Sequence, residues 1–141
     1  MSARYLLDSN ILSEPLRPSP NARVLARLDA ASGQLALPTI VWHELSYGAA
    51  RLAHSRRREQ LERYLARVIL PAMALFPYDQ EAAEWHAKER ARLEKRGAPP
   101  TFVDGQIAAI AATRGLVLVS RNVRDFERFE GLELENWFDA N

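Results

Sequence analysis

The amino-acid sequence predicts an α/β fold: a mainly parallel sheet covered on both faces by helices. Three observations carry that prediction. Short apolar runs recur along the chain, segments of helical period separate them, and the runs stop abruptly at polar residues. At 141 residues one compact domain is expected over positions 1–141, able to bury roughly 68–70% of its unfolded surface in a single core.

The first run, Arg4-Tyr5-Leu6-Leu7, ends at Asp8-Ser9-Asn10, so Asp8 is expected at the C-terminal end of a strand. Ile11 to Leu16 allows one helical turn before Pro18 and Pro20. Asn21 to Ala31 then has helical spacing through Val24, Leu25 and Leu28, closed by Gly33. Leu35-Ala36-Leu37 reads as a second strand, and Pro38-Thr39 starts a helix with Thr39 as its expected N-cap. That helix places Val41, Leu45, Gly48, Ala49 and Leu52 on its apolar side. Arg56 to Leu70 predicts another helix with a stripe of Leu61, Leu65 and Val68, ended by Pro71, and the two helices can pair as a hairpin. Met73 to Phe76 is a third strand. Asp79 is the expected N-cap of a long helix to Lys95 and Arg96, stopped by Gly97, with Ala98-Pro99-Pro100 as a loop. Thr101 to Arg114 is helical, Leu116 to Val119 is the clearest buried strand, and Leu132 to Trp137 is a weaker last one. No internal repeat or low-complexity segment interrupts this order.

Composition narrows the function. Cysteine is absent, which excludes disulfides and thiolate metal sites and fits a reducing, cytoplasmic setting. No run approaches the ~18 apolar residues of a membrane span, and Met1 to Leu7 is too short for a signal peptide. The net charge of +1 gives no global pull toward nucleic acid, so local clusters matter more.

In open α/β sheets ligands gather beyond the carboxyl ends of the strands. Asp8 follows the first strand, and Ser120-Arg121-Asn122-Val123-Arg124-Asp125-Phe126 follows the Leu116 to Val119 strand. Two further acids share helix faces with apolar neighbours, which points them inward: Glu44 with Ile40, Val41 and Gly48, and Asp104 with Val103, Ile107 and Ala108. Carboxylates about 4 Å apart repel by ~4 kcal/mol even at an effective dielectric near 20, and a cation reverses the sign. Oxygen ligands without His or Cys favour Mg²⁺ or Mn²⁺, and the implied chemistry is phosphodiester hydrolysis. Each acid also has a plainer reading. Asp8 can be a turn residue or cap, Glu44 can pair with an Arg, Asp104 can favour a helix dipole, and Asp125 can make an Asx-turn or cap a helix.

Four motifs in sequence order resemble the VapC-type toxins of the PIN-domain superfamily, close to the FitB-like branch. Tyr5-Leu6-Leu7-Asp8-Ser9-Asn10-Ile11-Leu12-Ser13-Glu14 resembles the family's opening strand and Asp-Thr-Asn signature, with Ser9 in place of Thr. Pro38 to Leu45 is similar to the segment that carries a helical acid, with Gly48 as its following small residue. Asp104-Gly105-Gln106-Ile107-Ala108-Ala109 resembles the Asp-x-x-Ile-Ala motif, and Val119 to Phe126 resembles the last motif, where Ser120 stands for a more usual Thr. The resemblance covers essentially the whole chain. It implies a PIN-like three-layer α/β/α sandwich with a mainly parallel sheet, and a Mg²⁺-dependent endoribonuclease acting as the toxin of a type II toxin–antitoxin system. It implies Asp8, Glu44 and Asp104 as metal ligands, directly or through water. Asn122 then orients the site, and Asp125 supplies charge around it. Ser9 and Asn10 hold the Asp8 loop, and Ser120 reaches a ligand carboxylate. The implied partners are a VapB-like antitoxin, a second copy of the toxin and structured RNA, with operator DNA reached through the antitoxin.

Arg51 to Arg67 holds six arginines against two glutamates. That cluster reads either as a track for the RNA backbone or as a solvated helical face. Arg121 and Arg124, inside the site loop, are the stronger candidates for touching substrate. The three histidines, His43, His54 and His86, have no ligand spacing among themselves. Trp42, Trp85, Phe102 and Trp137 read as core or interface residues. The helix pair from Trp42 to Leu70 offers apolar surface for an antitoxin's amphipathic helix. One rival reading is a phosphoryl-receiver domain, disfavoured because the late strand ends in Ser120-Arg121 without a Lys. A second is a catalytically weak PIN-shaped binding module acting with an antitoxin in DNA-bound autoregulation.

Overall fold

A computed structural model describes residues 2–139. Its strands are β1 (Tyr5–Leu7), β2 (Leu35–Pro38), β3 (Ala74–Phe76), β4 (Val117–Val119) and β5 (Glu133–Glu135), joined in one sheet of order β3-β2-β1-β4-β5. All four pairings are parallel, with Tyr5 opposite both Leu35 and Val117. Every residue of β1, β2 and β4 is buried. Because successive side chains of a strand point to opposite faces, burial at every position means that both faces are covered. The α/β architecture predicted from the sequence is the one observed.

The chain leaves β1 through α1 (Ser9–Ser13) and a 3₁₀ turn at Glu14–Leu16, then forms α2 (Ala22–Ala30), capped by the Asn21 side chain. Glu14 is buried within this connection and accepts a hydrogen bond from the Asn21 N–H at 2.8 Å. After β2 come α3 (Thr39–Ala50) and α4 (Arg56–Tyr64), which pack side by side. Then follow α5 (Leu70–Ala72), β3, α6 (Gln80–Lys95), α7 (Phe102–Thr113), β4, α8 (Val123–Phe126) and β5. Asp79 caps α6, Thr101 caps α7, and Gly97 at φ 71 turns the chain out of α6.

Three local expectations are corrected. Pro38, not Thr39, is the N-cap of α3 and makes no side-chain cap; β2 runs directly into the helix, and the fixed extended φ of proline suits the junction. Pro71 does not end the helix that begins at Arg56. A π turn at Leu65–Ile69 joins α4 to α5, which contains Pro71. The wider turn inserts a residue into the helical phase, so Ile69 takes the buried place expected of Val68, which is 51% exposed. Among the described residues no helix is long and apolar enough to cross a membrane.

Candidate active site

Strand order reverses at β1: the chain passes outward through β2 and β3, then returns to β4 and β5 on the other side. A crevice therefore opens beyond the carboxyl ends of β1 and β4, and the acids converge there. Asp8 sits immediately after β1 and caps α1. Its Oδ1 accepts from the Ser9 N–H at 2.8 Å and its Oδ2 from the Ser120 hydroxyl at 2.8 Å. The Asn10 amide lies 3.5 Å from the same Oδ2 and 3.4 Å from Ser120 Oγ. Asn10 Oδ1 in turn accepts from the Arg121 N–H at 3.1 Å, and Ser120 Oγ accepts from the Asn122 N–H at 3.0 Å. One network thus fastens the loop after β1 to the loop after β4 across the crevice.

Asp8 and Ser120 are buried. Burial pushes the Asp8 carboxyl above its ordinary range, the hydrogen bonds from Ser120 and Ser9 oppose that shift, and the charge of Asp125 adds to it. Asp104 occupies the first turn of α7, where its N–H donates to the Thr101 hydroxyl at 3.2 Å. Its carboxyl is also raised, first by desolvation and then by Asp125 and Asp8, against the Thr101 hydroxyl and the Arg128 charge. Glu44, on the second turn of α3, is raised by desolvation, with Asp8 and Asp104 adding and Ser9 and His43 opposing. Asp125 acts on Asp8 and Asp104, and Asp8 and Asp104 act on Glu44, so the four acids border the same crevice. Glu44 nonetheless departs from the inward orientation its neighbours predict. It is exposed at the rim, because α3 buries the adjacent face through Val41, Leu45 and Ala49.

The remaining candidates divide. Ser9, Asn10 and Ser120 touch Asp8 or its partners, while Asn122 contributes its backbone N–H rather than its side chain. Arg121 is exposed, but its guanidinium lies over the Phe138 ring, 4.5 Å from the centroid. Arg124 is exposed on α8 beside Asp125. Two residues near the site carry no sequence signal that singles them out. Arg128 exerts its charge on Asp104 from a loop. His86 lies buried under α7, with Nδ1 2.9 Å from the Tyr78 hydroxyl and its ring against Gly105, the neighbour of Asp104.

Among the described residues no three His, Cys, Asp or Glu side chains are drawn tightly enough together to hold an ion by themselves. The acids of the crevice offer only oxygen donors, the ligand type of Mg²⁺ and Mn²⁺, which keep several waters and take one or two carboxylates.

The fold and site are those of a parallel α/β sheet with acids gathered beyond the ends of β1 and β4. The PIN domain model matches residues 5–132, and the chain belongs to that family. It is 34% identical over 137 residues to Toxin FitB of Neisseria gonorrhoeae, covering 95% of this chain and 99% of the relative. It is 31% identical over 135 residues to the tRNA(fMet)-specific endonuclease VapC of Salmonella typhimurium, covering 95% and 98%. Among solved structures, FitAB bound to an IR36 DNA fragment superposes with a TM-score of 0.87 at 30% identity, over 97% of each chain.

Proposed function

We propose that this chain is a divalent-metal-dependent endoribonuclease and the toxin of a toxin–antitoxin pair, working as one domain in the cytoplasm. The observation that carries the reading is Asp8: a buried carboxyl, fastened by Ser9, Asn10 and Ser120, raised in proton affinity by burial and by the charge of Asp125, and itself raising Glu44 and Asp104. Such a cluster is unfavourable for folding and is explained by a cation. The similarity to a toxin and to a tRNA-cleaving endonuclease supports the same conclusion.

Asp8, Glu44 and Asp104 would hold Mg²⁺ or Mn²⁺, with Asp125 adding charge. When bound, the ion supplies an activated water and charge stabilisation for phosphodiester hydrolysis. Ser120 and Asn10 keep the Asp8 carboxylate oriented. Arg124, and Arg121 once it leaves Phe138, take phosphates of the RNA. Glu44, the acid open to solvent at the rim, is the residue that could take the proton of an attacking water. A shallow apolar groove between α3 and α4, lined by Trp42, Ala49, Leu65 and Leu70, suits the amphipathic helix of an antitoxin. A second copy of the chain and antitoxin-held operator DNA complete the assembly, by analogy with FitAB on DNA.

The test is cleavage of total bacterial RNA by the purified, partner-free chain, with Mg²⁺ against EDTA and with Asp8→Asn beside it. Discrete products that need Mg²⁺ and vanish in the variant are expected. Indifference to both changes would leave a binding module instead.

A further inference from the structure

A second groove flanks the α3–α4 pair on the side that faces the acids. It encloses about 460 Å³ between the 3₁₀ turn, α3 and α4, and is lined by Leu16, Arg17, Glu44, Gly48, Arg57 and Gln60. We infer that this groove is a subsite for a nucleotide of the RNA flanking the scissile phosphate, with Arg57 on its phosphate and Gln60 on its base edge. The inference rests on the nuclease reading above and extends it to residues outside the acidic cluster.

Gly48 is the first argument. Glycine inside a helix is unfavourable by roughly 0.5–1 kcal/mol relative to alanine, so an interior glycine needs a reason. Packing does not supply one, because a Cβ on Gly48 would meet no atom within 4 Å. The missing side chain instead leaves the groove open one helical turn beyond Glu44, on the same face of α3. The space is kept for an occupant that reaches the acids.

Charge identifies the occupant. Among the described residues Arg57 makes no ion pair, whereas its neighbour Arg58 is engaged by Glu62 at 3.3 Å and by the Leu52 carbonyl at 3.0 Å. Arg17 lies only loosely against Glu14, at 3.9 Å, and is largely exposed. Two available guanidiniums over an apolar floor, with Glu44 of the acidic site at the groove's edge, match a single-stranded nucleotide: phosphate to the arginines, base to Leu16 and Leu61, amide of Gln60 to a base edge. The groove's width is fixed by the Tyr64 hydroxyl, which donates to the Leu12 carbonyl at 2.7 Å and pins the far end of α4 to α1. Only part of the Arg51 to Arg67 cluster therefore faces the site.

Four variants at three positions test the subsite against the cleavage assay above, using a short single-stranded oligoribonucleotide. Gly48→Phe should fill the groove and lower kcat/KM at least tenfold, while Gly48→Ala keeps most activity and is as thermally stable as the unsubstituted chain or more so. Arg57→Ala should raise KM about tenfold and reduce the slope of log affinity against log salt by ~0.7, the loss of one single-strand phosphate contact. Gln60→Ala should alter the nucleotide preferred beside the cut. If the unsubstituted chain cuts RNA and Gly48→Phe, Arg57→Ala and Gln60→Ala all cut with the same KM, salt slope and products, the groove assignment is wrong. Weakened antitoxin binding in those same variants would then hand the groove to the protein partner. If the unsubstituted chain does not cut RNA with Mg²⁺, the nuclease reading fails first and the subsite falls with it.

Discussion

At Asp8 two hydrogen-bond donors at 2.8 Å hold a carboxyl whose proton affinity burial raises. The hydrogen bonds fix its position, and a bound cation would offset its charge. Asparagine at this position keeps the oxygen that caps α1 and removes the buried charge, while its amide NH2 replaces the oxygen to which Ser120 donates, so the Ser120 hydroxyl must turn to accept from it. Asp8→Asn is therefore expected to abolish cleavage and yet raise the thermal midpoint at pH 7, without metal, by about 2–4 °C, the shift that ~1 kcal/mol produces in a domain of this size. The sign of the pH dependence follows from the raised carboxyl. A folded-state pKa above the ordinary 3.8 means that the native state binds the proton more tightly than the unfolded chain does. The penalty of the charge is then complete above the raised value and gone below 3.8. Calorimetry from pH 7 to pH 4 should show the advantage of the variant shrinking as pH falls; a constant gap, or a variant less stable at pH 7, would contradict the assignment of Asp8 as a strained ligand. Asp8 was legible in the sequence because an apolar run stops at it. Arg128 was not, because its effect on Asp104 depends on how the loop after α8 returns to the end of the sheet.

Among the elements, α6 and α7 make the closest helix contact near the site, and Gly105 permits it. His86 on α6 is buried, held by Tyr78, and its ring fills the space a side chain at 105 would need; a Cβ there would overlap His86 Nε2. Burial, with Arg90 adding, lowers the proton affinity of the ring and keeps it neutral. Gly105→Ala is expected to destabilise the fold by about 1–3 kcal/mol in urea unfolding, as overpacking does. It should also lower cleavage, because α7 carries Asp104 on the preceding residue; unaltered stability would mean that the ring yields freely. Helical period revealed α7 and both of its bounds within a residue, since Thr101 caps it and Ala-rich packing fills its face. The same period misplaced Val68, because a π turn has no signature in a pattern read at 3.6 residues per turn. Glu44 was misjudged for a related reason. Its apolar neighbours belong to the adjacent face of α3, one that the sequence alone did not distinguish from the rim.

Across the whole molecule, the alternation of strands and helices made the parallel sheet legible, whereas the order β3-β2-β1-β4-β5 came only with the structure. That order matters because it brings the ends of β1 and β4 side by side, joining acids more than 90 residues apart in sequence. Folding must hold them there against their repulsion, so metal binding and stability are linked: an ion that binds only the folded state stabilises it by RT ln(1 + [L]/Kd), about 2.7 kcal/mol at a hundredfold excess over Kd. At pH 7.5 saturating Mg²⁺ or Mn²⁺ is therefore expected to raise the thermal midpoint of the chain by several degrees. Asp8→Asn and Asp104→Asn should each remove most of that gain. Lowering the pH into the raised range of Asp8, Glu44 and Asp104 should remove it too, because protons then compete with the ion for the same oxygens. Na⁺ at equal ionic strength is the control that separates a bound ion from general screening. A midpoint that responds equally to Mg²⁺ and Na⁺ would mean that the acids are no metal site, and the repulsion among them would then need another explanation.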